Sequence, residues 1–304
     1  MSLQPGHKPE PAYRAGHVAI VGRPNVGKST LLNRIVGCKL SITSRKPQTT
    51  RQRVTGIITR SEAQIVLVDT PGYQTEHKST LNRMMNRSVA SSLQGVDAIV
   101  WMVEALKLDE RDHAVGELLP RQLPVVLAIN KTDRAGDKRL LLPFIERLSK
   151  LRDFTAIVPI SATKGTQVEE LLVALVALLP EGPRLYDADE MTTESERFLA
   201  AELLREKLFR LLGDELPYAA GVEIEEFKLD GSMRRIHAVI TVEKDAQKAI
   251  VIGKRGEKLK AVATLARRDM EQLFDGKVFL EIWVKVRRGW ADNEAALRRM
   301  GYGD

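Results

Sequence analysis

Eight residues, Gly22-Arg23-Pro24-Asn25-Val26-Gly27-Lys28-Ser29, restrict this chain more than any other stretch. They have the spacing G-x-x-x-x-G-K-[ST]. An apolar run, His17-Val18-Ala19-Ile20-Val21, precedes them, and a helix-like stretch from Thr30 to Val36 follows. Two glycines in a tight loop let successive backbone N–H groups curl around phosphate oxygens. The helix that follows aims the positive end of its dipole at the same point. Lys28 adds a cation for the β and γ oxygens of a nucleotide, and Ser29 a hydroxyl for Mg²⁺. The bland alternative is a Gly-rich turn, but a strand before the loop and a helix after it argue against that.

The first half continues this pattern. Gln64 to Val68, Asp97 to Val103, Pro124 to Ile129 and Ala156 to Ile160 are continuous apolar runs separated by helical stretches, the last from Glu169 to Leu179. Such runs suit strands buried on both faces, joined by βαβ crossovers. Val54 to Thr59 reads as an edge strand. The expected architecture is α/β, a mostly parallel sheet with helices on both faces. Residues 1–15 read as a flexible tail without the apolar stretch of a signal peptide, residues 16–180 as the nucleotide domain, and the acidic, proline-bearing residues 181–194 as a linker.

Asn130-Lys131-Thr132-Asp133 separates guanine from adenine. It follows an apolar run, at the strand end where open α/β sheets bind ligands. An aspartate there accepts hydrogen bonds from guanine N1–H and the 2-amino group; adenine has neither donor, and an unpaired buried carboxylate is costly. The Lys131 stem can lie over the base, and a backbone N–H of Ser161-Ala162 can meet guanine O6. Asp69-Thr70-Pro71-Gly72 ends another strand: the carboxylate suits Mg²⁺, usually through water, and the Gly72 N–H suits a γ-phosphate sensor. A strand-ending turn is the alternative there. Between Ser41 and Arg53 lies a polar, basic stretch with Pro47-Gln48-Thr49-Thr50-Arg51, in which Thr50 is preferred to Thr49 as a further Mg²⁺ ligand.

Gly22–Ser29, Gln48 to Arg51, Asp69–Gly72, Asn130–Asp133 and Ser161-Ala162 together resemble the GTPase superclass that includes the Era, double-Era and tRNA-modifying GTPases. That implies binding of GTP and GDP with Mg²⁺ and a slow intrinsic hydrolysis, with Lys28, Ser29, Thr50, Asp69, Gly72 and Asn25 around the reacting phosphates. Tyr73 stands where Ras-like proteins have glutamine, and a phenol orients an attacking water poorly. Asn25 resembles the asparagine that helps bind K⁺ in relatives, where a cation neutralises charge developing between β and γ oxygens. Its alternative reading is a loop residue satisfying its own backbone.

From residue 195 to 304 the order is helix (Ser195 to Gly213), two alternating runs joined at Asp230-Gly231, a helix, Gly253-Lys254-Arg255-Gly256, a helix, a strand (Val278 to Val286) and a short helix (Asp292 to Met300). In a G-x-x-G loop the glycines let backbone approach a nucleic-acid strand and the middle residues meet phosphates. Between Lys244 and Arg268, eight Lys or Arg face two acids, within a chain of net charge +7, an electrostatic footprint for a polyanion. A basic helix face alone is more often solvated surface. The combination resembles an α+β type II KH domain, with Ile252, Gly253, Lys254, Arg255, Gly256, Lys258 and Lys260 as RNA-binding candidates and Ile250 and Val251 as groove lining. Lys285 to Arg288 is either further RNA-binding charge or a solvated strand end.

One P-loop domain followed by one KH domain resembles the Era family. The resemblance implies a cytoplasmic, monomeric switch protein that binds 16S rRNA near its 3′ end and assists assembly of the 30S subunit, with no DNA partner. The family's loose association with the inner membrane implies at most a peripheral contact, since no run approaches the ~18 apolar residues of a span. The alternative is an RNA-binding module whose nucleotide site is regulatory and hydrolyses little. The single cysteine, Cys38, forms no internal disulfide and suits a reducing compartment.

Overall fold

The computed structural model describes residues 12–43, 49–74, 79–213, 219–300 and 302. Among the described residues nine strands make two sheets. The first has strands β1 (Arg14–Val21), β2 (Val54–Thr59), β3 (Ala63–Asp69), β4 (Ala98–Glu104), β5 (Val125–Asn130) and β6 (Ala156–Pro159) in the order β2-β3-β1-β4-β5-β6. Every pair is parallel except the edge pair β2–β3. The strand period of two sends alternate residues to opposite faces. Val18 and Ile20 of β1 and Val100 and Met102 of β4 pack towards α1 (Lys28–Val36) and α5 (Val168–Val176). Their neighbours Ala19, Ile99 and Trp101 pack towards α3 (Glu110–Leu118) and α4 (Leu141–Ser149). Both faces are thus covered, which is why these strands read as unbroken apolar runs. The remaining helix of this half, α2 (Thr80–Ser92), is capped by the Ser79 side chain.

One expectation needs correction and another gains detail. Strand β1 begins at Arg14, inside the stretch read as a tail, and the Ala15 N–H donates to the Pro180 carbonyl. Residues 181–194, the stretch read as a linker, are tied down. They run beside the edge of the first sheet: the Ile57 N–H donates to Met191 O, Thr192 Oγ1 to Thr55 O, and the buried Gln64 amide holds Leu185 and Tyr186. Composition shows that this segment is polar, but not that an edge strand needs its hydrogen bonds. Gln48 lies outside the described residues.

The second sheet is β7 (Ala220–Asp230), β8 (Met233–Val242) and β9 (Lys277–Val286), the first pair antiparallel and the second parallel. Helices α6 (Glu196–Leu211), α7 (Asp245–Ile252) and α8 (Glu257–Leu273) complete this half, and α9 (Glu294–Arg299) ends it. Helix α6 has buried residues on nearly every side, among them the charged Glu202, Arg205, Glu206 and Lys207. A helix buried all round lies between two bodies. One apolar cluster accordingly runs from the first sheet through α6 into the second. A smaller one joins Leu81, Met84 and Met85 of α2 to Trp290, Leu297 and Tyr302. Trp290 is 2% exposed, and its indole N–H donates to Ala219 O. Trp290→Ala is expected to cost about 3–5 kcal/mol, read as a lowered urea midpoint with an unchanged slope.

Candidate functional site

Strands β1, β3, β5 and β6 all end on one edge of the sheet, so the loops that follow them converge. They border a cavity of about 900 Å³. At one end, Ser29 Oγ lies 2.7 Å from Thr50 Oγ1 and 2.7 Å from Asp69 Oδ2. Asp69 Oδ2 also accepts from Ser41 Oγ at 2.8 Å, while Oδ1 is buried with no partner among the described residues. Burial pushes the Asp69 carboxyl up despite the nearby Lys28 ammonium. Two hydroxyls and an under-satisfied carboxylate form an all-oxygen set, and that fits a hard divalent cation such as Mg²⁺. Thr50, 5% exposed, stands beside Ser29; Thr49 borders the cavity without joining this cluster.

Lys28 is enclosed by its own loop, where Nζ donates to the carbonyls of Gly22 and Arg23. Burial lowers its pKa to about 8, and an anion placed beside it would raise it again. Gly72 reaches the loop closely: a Cβ there would lie 2.7 Å from Pro24. Thr70 Oγ1 donates to Ile20 O and fixes the Asp69–Gly72 turn against β1. Tyr73 packs on the cluster containing Val21 and Trp101. Asn25 is exposed at the cavity with φ 63°, a left-handed conformation that asparagine tolerates.

At the other end Asn130 acts as a clip. Its Nδ2 donates to Val26 O, and its Oδ1 accepts from the Ala162 N–H. The N–H expected to meet guanine O6 is therefore held by Asn130 in this structure, while the Ser161 N–H donates to Thr166 O. Asp133 Oδ1 accepts from Ser161 Oγ at 2.6 Å, which orients the carboxylate, and Thr132 Oγ1 is tied to Ile160 O.

Three participants escaped the sequence reading. Glu104, at the end of β4, pairs with Lys131 at 2.6 Å, Lys107 at 2.7 Å and Arg23 at 3.4 Å. Burial opposes its ionisation, but the Lys107 and Lys131 ammonium groups outweigh that and hold the carboxyl at about 2. It aims Lys131. Arg23, placed in the phosphate loop by its motif, sends its guanidinium to Asp112 and Glu104 instead, so only its backbone serves the loop. Phe209 and Arg210 of α6 also border the cavity. A strand-end glutamate was a readable signal; the approach of α6 was not.

In the second half the G-x-x-G turn sits between α7 and α8. Gly253 has φ 74°, and a Cβ would meet Lys258 Cγ at 2.7 Å, so both conformation and space demand glycine. Lys254, Arg255, Lys258 and Lys260 are exposed and form no ion pair with a described residue. Ile252 is half-buried and Ile250 exposed. Val251, expected in the groove, is 0% exposed and belongs to the core. Lys285 pairs with Glu225 across the sheet, so it is less available to a polyanion than its neighbours suggested.

The family model described as 50S ribosome-binding GTPase matches residues 17–131, and the KH domain model matches residues 215–291. The chain is 56% identical to the GTPase Era of Nitrosomonas eutropha over 290 residues, covering 95% of this chain and 98% of the relative. It is 53% identical to the GTPase Era of Chromobacterium violaceum, covering 95% and 98%. Among solved structures, a variant of Aquifex aeolicus Era bound to GDP·AlF4⁻ superposes with TM-score 0.92 at 39% identity, covering 96% of this chain and all of the other. Era in complex with MgGDPNP and a 16S ribosomal RNA fragment does so with TM-score 0.93 at the same identity and coverage. More than half identical to these relatives across nearly their whole length, this chain belongs to the Era family of GTPases.

Proposed function

We propose that this protein is a GTP-hydrolysing switch that binds 16S rRNA near its 3′ end and assists maturation of the 30S subunit. One observation carries the reading: a guanine-type nucleotide site and a basic G-x-x-G turn occur in one chain, with the loops 41–43 and 49–53 packed against the RNA-binding half. The 50S description attaches to a model that spans the nucleotide half alone. The solved relative with 16S RNA matches both halves.

Lys28 and the Gly22–Ser29 backbone are assigned to the phosphates, Ser29, Thr50 and Asp69 to Mg²⁺, Asp133 and Lys131 to the base, and Gly72 to the γ-phosphate. Mg²⁺ neutralises the β and γ oxygens when bound. Tyr73, lodged on the apolar cluster, offers no carboxamide to a water, which favours slow unaided turnover. Asn25 at the cavity mouth is assigned to K⁺, a cation able to offset charge developing on the phosphates. RNA phosphates fall to Lys254, Arg255, Lys258 and Lys260, with Ile252 under the bases. Among the described residues no helix is long and apolar enough to cross a membrane. Membership of the Era family supports the cytoplasm as the working compartment, with a peripheral contact at the inner membrane.

Three measurements test these assignments. Asp133→Asn is expected to weaken GTP binding by at least ~100-fold while leaving the weak ATP affinity unchanged, read by calorimetry; equal losses for both nucleotides would remove the guanine assignment. Changing Lys254 and Arg255 together to alanine is expected to lower affinity for a 16S 3′-end oligonucleotide by ~10-fold or more and to flatten its salt dependence by about two charges; unchanged affinity places RNA elsewhere. GTP turnover is expected to be faster in K⁺ than in Na⁺ at equal ionic strength. Equal rates would return Asn25 to a loop role.

A further inference from the structure

Helix α6 opens the RNA-binding half, yet its last turn forms a wall of the nucleotide cavity. Arg210 lies there beside Thr43, its guanidinium 3.2 Å from both Thr43 O and Oγ1. It also pairs with Glu206 Oε1 at 2.8 Å. Glu206 is fully buried and shared: Lys39 pairs with it, and Lys207 lies 3.1 Å from its other oxygen. Lys39 and Lys207 meet again at Asp269 of α8. Among the described residues this cluster therefore sets three cations, Lys39, Lys207 and Arg210, against two carboxylates, Glu206 and Asp269. Its surplus is one positive charge.

The three cations are not equally placed to meet an outside anion. Lys207 is 6% exposed and Lys39 31%, and each has two carboxylate partners. Arg210 is 47% exposed, has one carboxylate partner and alone borders the cavity that also holds Lys28 and Ser29. A partly buried positive surplus facing a polyphosphate is stabilised by it. A guanidinium suits this task, because its planar fork can stay on Glu206 through one edge while offering another to phosphate oxygens.

We propose that Arg210 is a nucleotide-binding residue supplied in cis by the RNA-binding half, and that it contacts the phosphate chain of GTP. It makes the guanine-nucleotide cavity a composite of both halves. This inference rests on the nucleotide reading of the cavity given above.

The test compares Arg210→Ala and Arg210→Lys with the parent chain for guanosine, GDP and a non-hydrolysable GTP analogue, by calorimetry with Mg²⁺ present. A phosphate contact predicts a loss graded with charge: about tenfold for the GTP analogue, less for GDP and none for guanosine. The lysine variant is expected to recover part of the loss. Thermal melts check that both variants fold. Equal affinities for the parent and the alanine variant, or equal losses for all three ligands, would overturn the proposal. A parent chain that binds no guanine nucleotide would instead overturn the reading on which it rests.

Discussion

A fully buried carboxylate, Asp69, is the point at which the elements of the candidate site meet. It lies at the end of a central strand, 0% exposed, with Ser29 from the phosphate loop and Ser41 from the following segment both donating to one of its oxygens. A buried carboxylate with an empty second oxygen is unfavourable without a nearby cation. Lys28 supplies part of that compensation, and a divalent ion fits the remainder. Phosphate loop, strand end and the chain at Ser41 and Thr50 therefore share one electrostatic requirement, and anything that alters the charge at this point acts on all three.

The same requirement reaches the second half. Arg51, next to Thr50, is 3% exposed; its guanidinium donates to Ala220 O and lies over the rings of Phe209 and Tyr302. Gln52 donates to Met300 O, and α2, which follows the Asp69–Gly72 turn, packs on Trp290 and Leu297. The chain that borders the cavity at Thr49 and Thr50 thus continues directly into residues bonded to the RNA-binding half. Coupling between two sites requires that each ligand favour one arrangement of a shared element. Here the shared elements are the chain around Thr50 and helix α6.

Helix α6 is also where a sequence reading of helices is weakest. Glu202, Arg205, Glu206 and Lys207 have the composition of a solvated face, yet all four are buried. They are tolerated because each has an ionic partner: Arg205 forks onto Glu202, and Glu206 and Lys207 join Asp269 and Lys39. Removal of one partner would strand the other in a medium of low polarity, so these positions are constrained although they look interchangeable.

The sequence by itself determined every element that depends on local spacing. The phosphate loop, the strand end at Asn130–Asp133, the alternation of strand and helix, the hairpin at Asp230-Gly231 and the basic G-x-x-G turn all follow from residue type and periodicity, because backbone conformation and strand burial act over a few residues. The tertiary structure alone decided what sits opposite. It turned Arg23 away to Asp112 and Glu104, put Val251 in the core and laid residues 181–194 along the first sheet. It also brought Arg210 to a cavity that begins nearly two hundred residues earlier. Those outcomes depend on contacts between residues far apart in the chain, and such long-range packing leaves no periodic trace in the sequence.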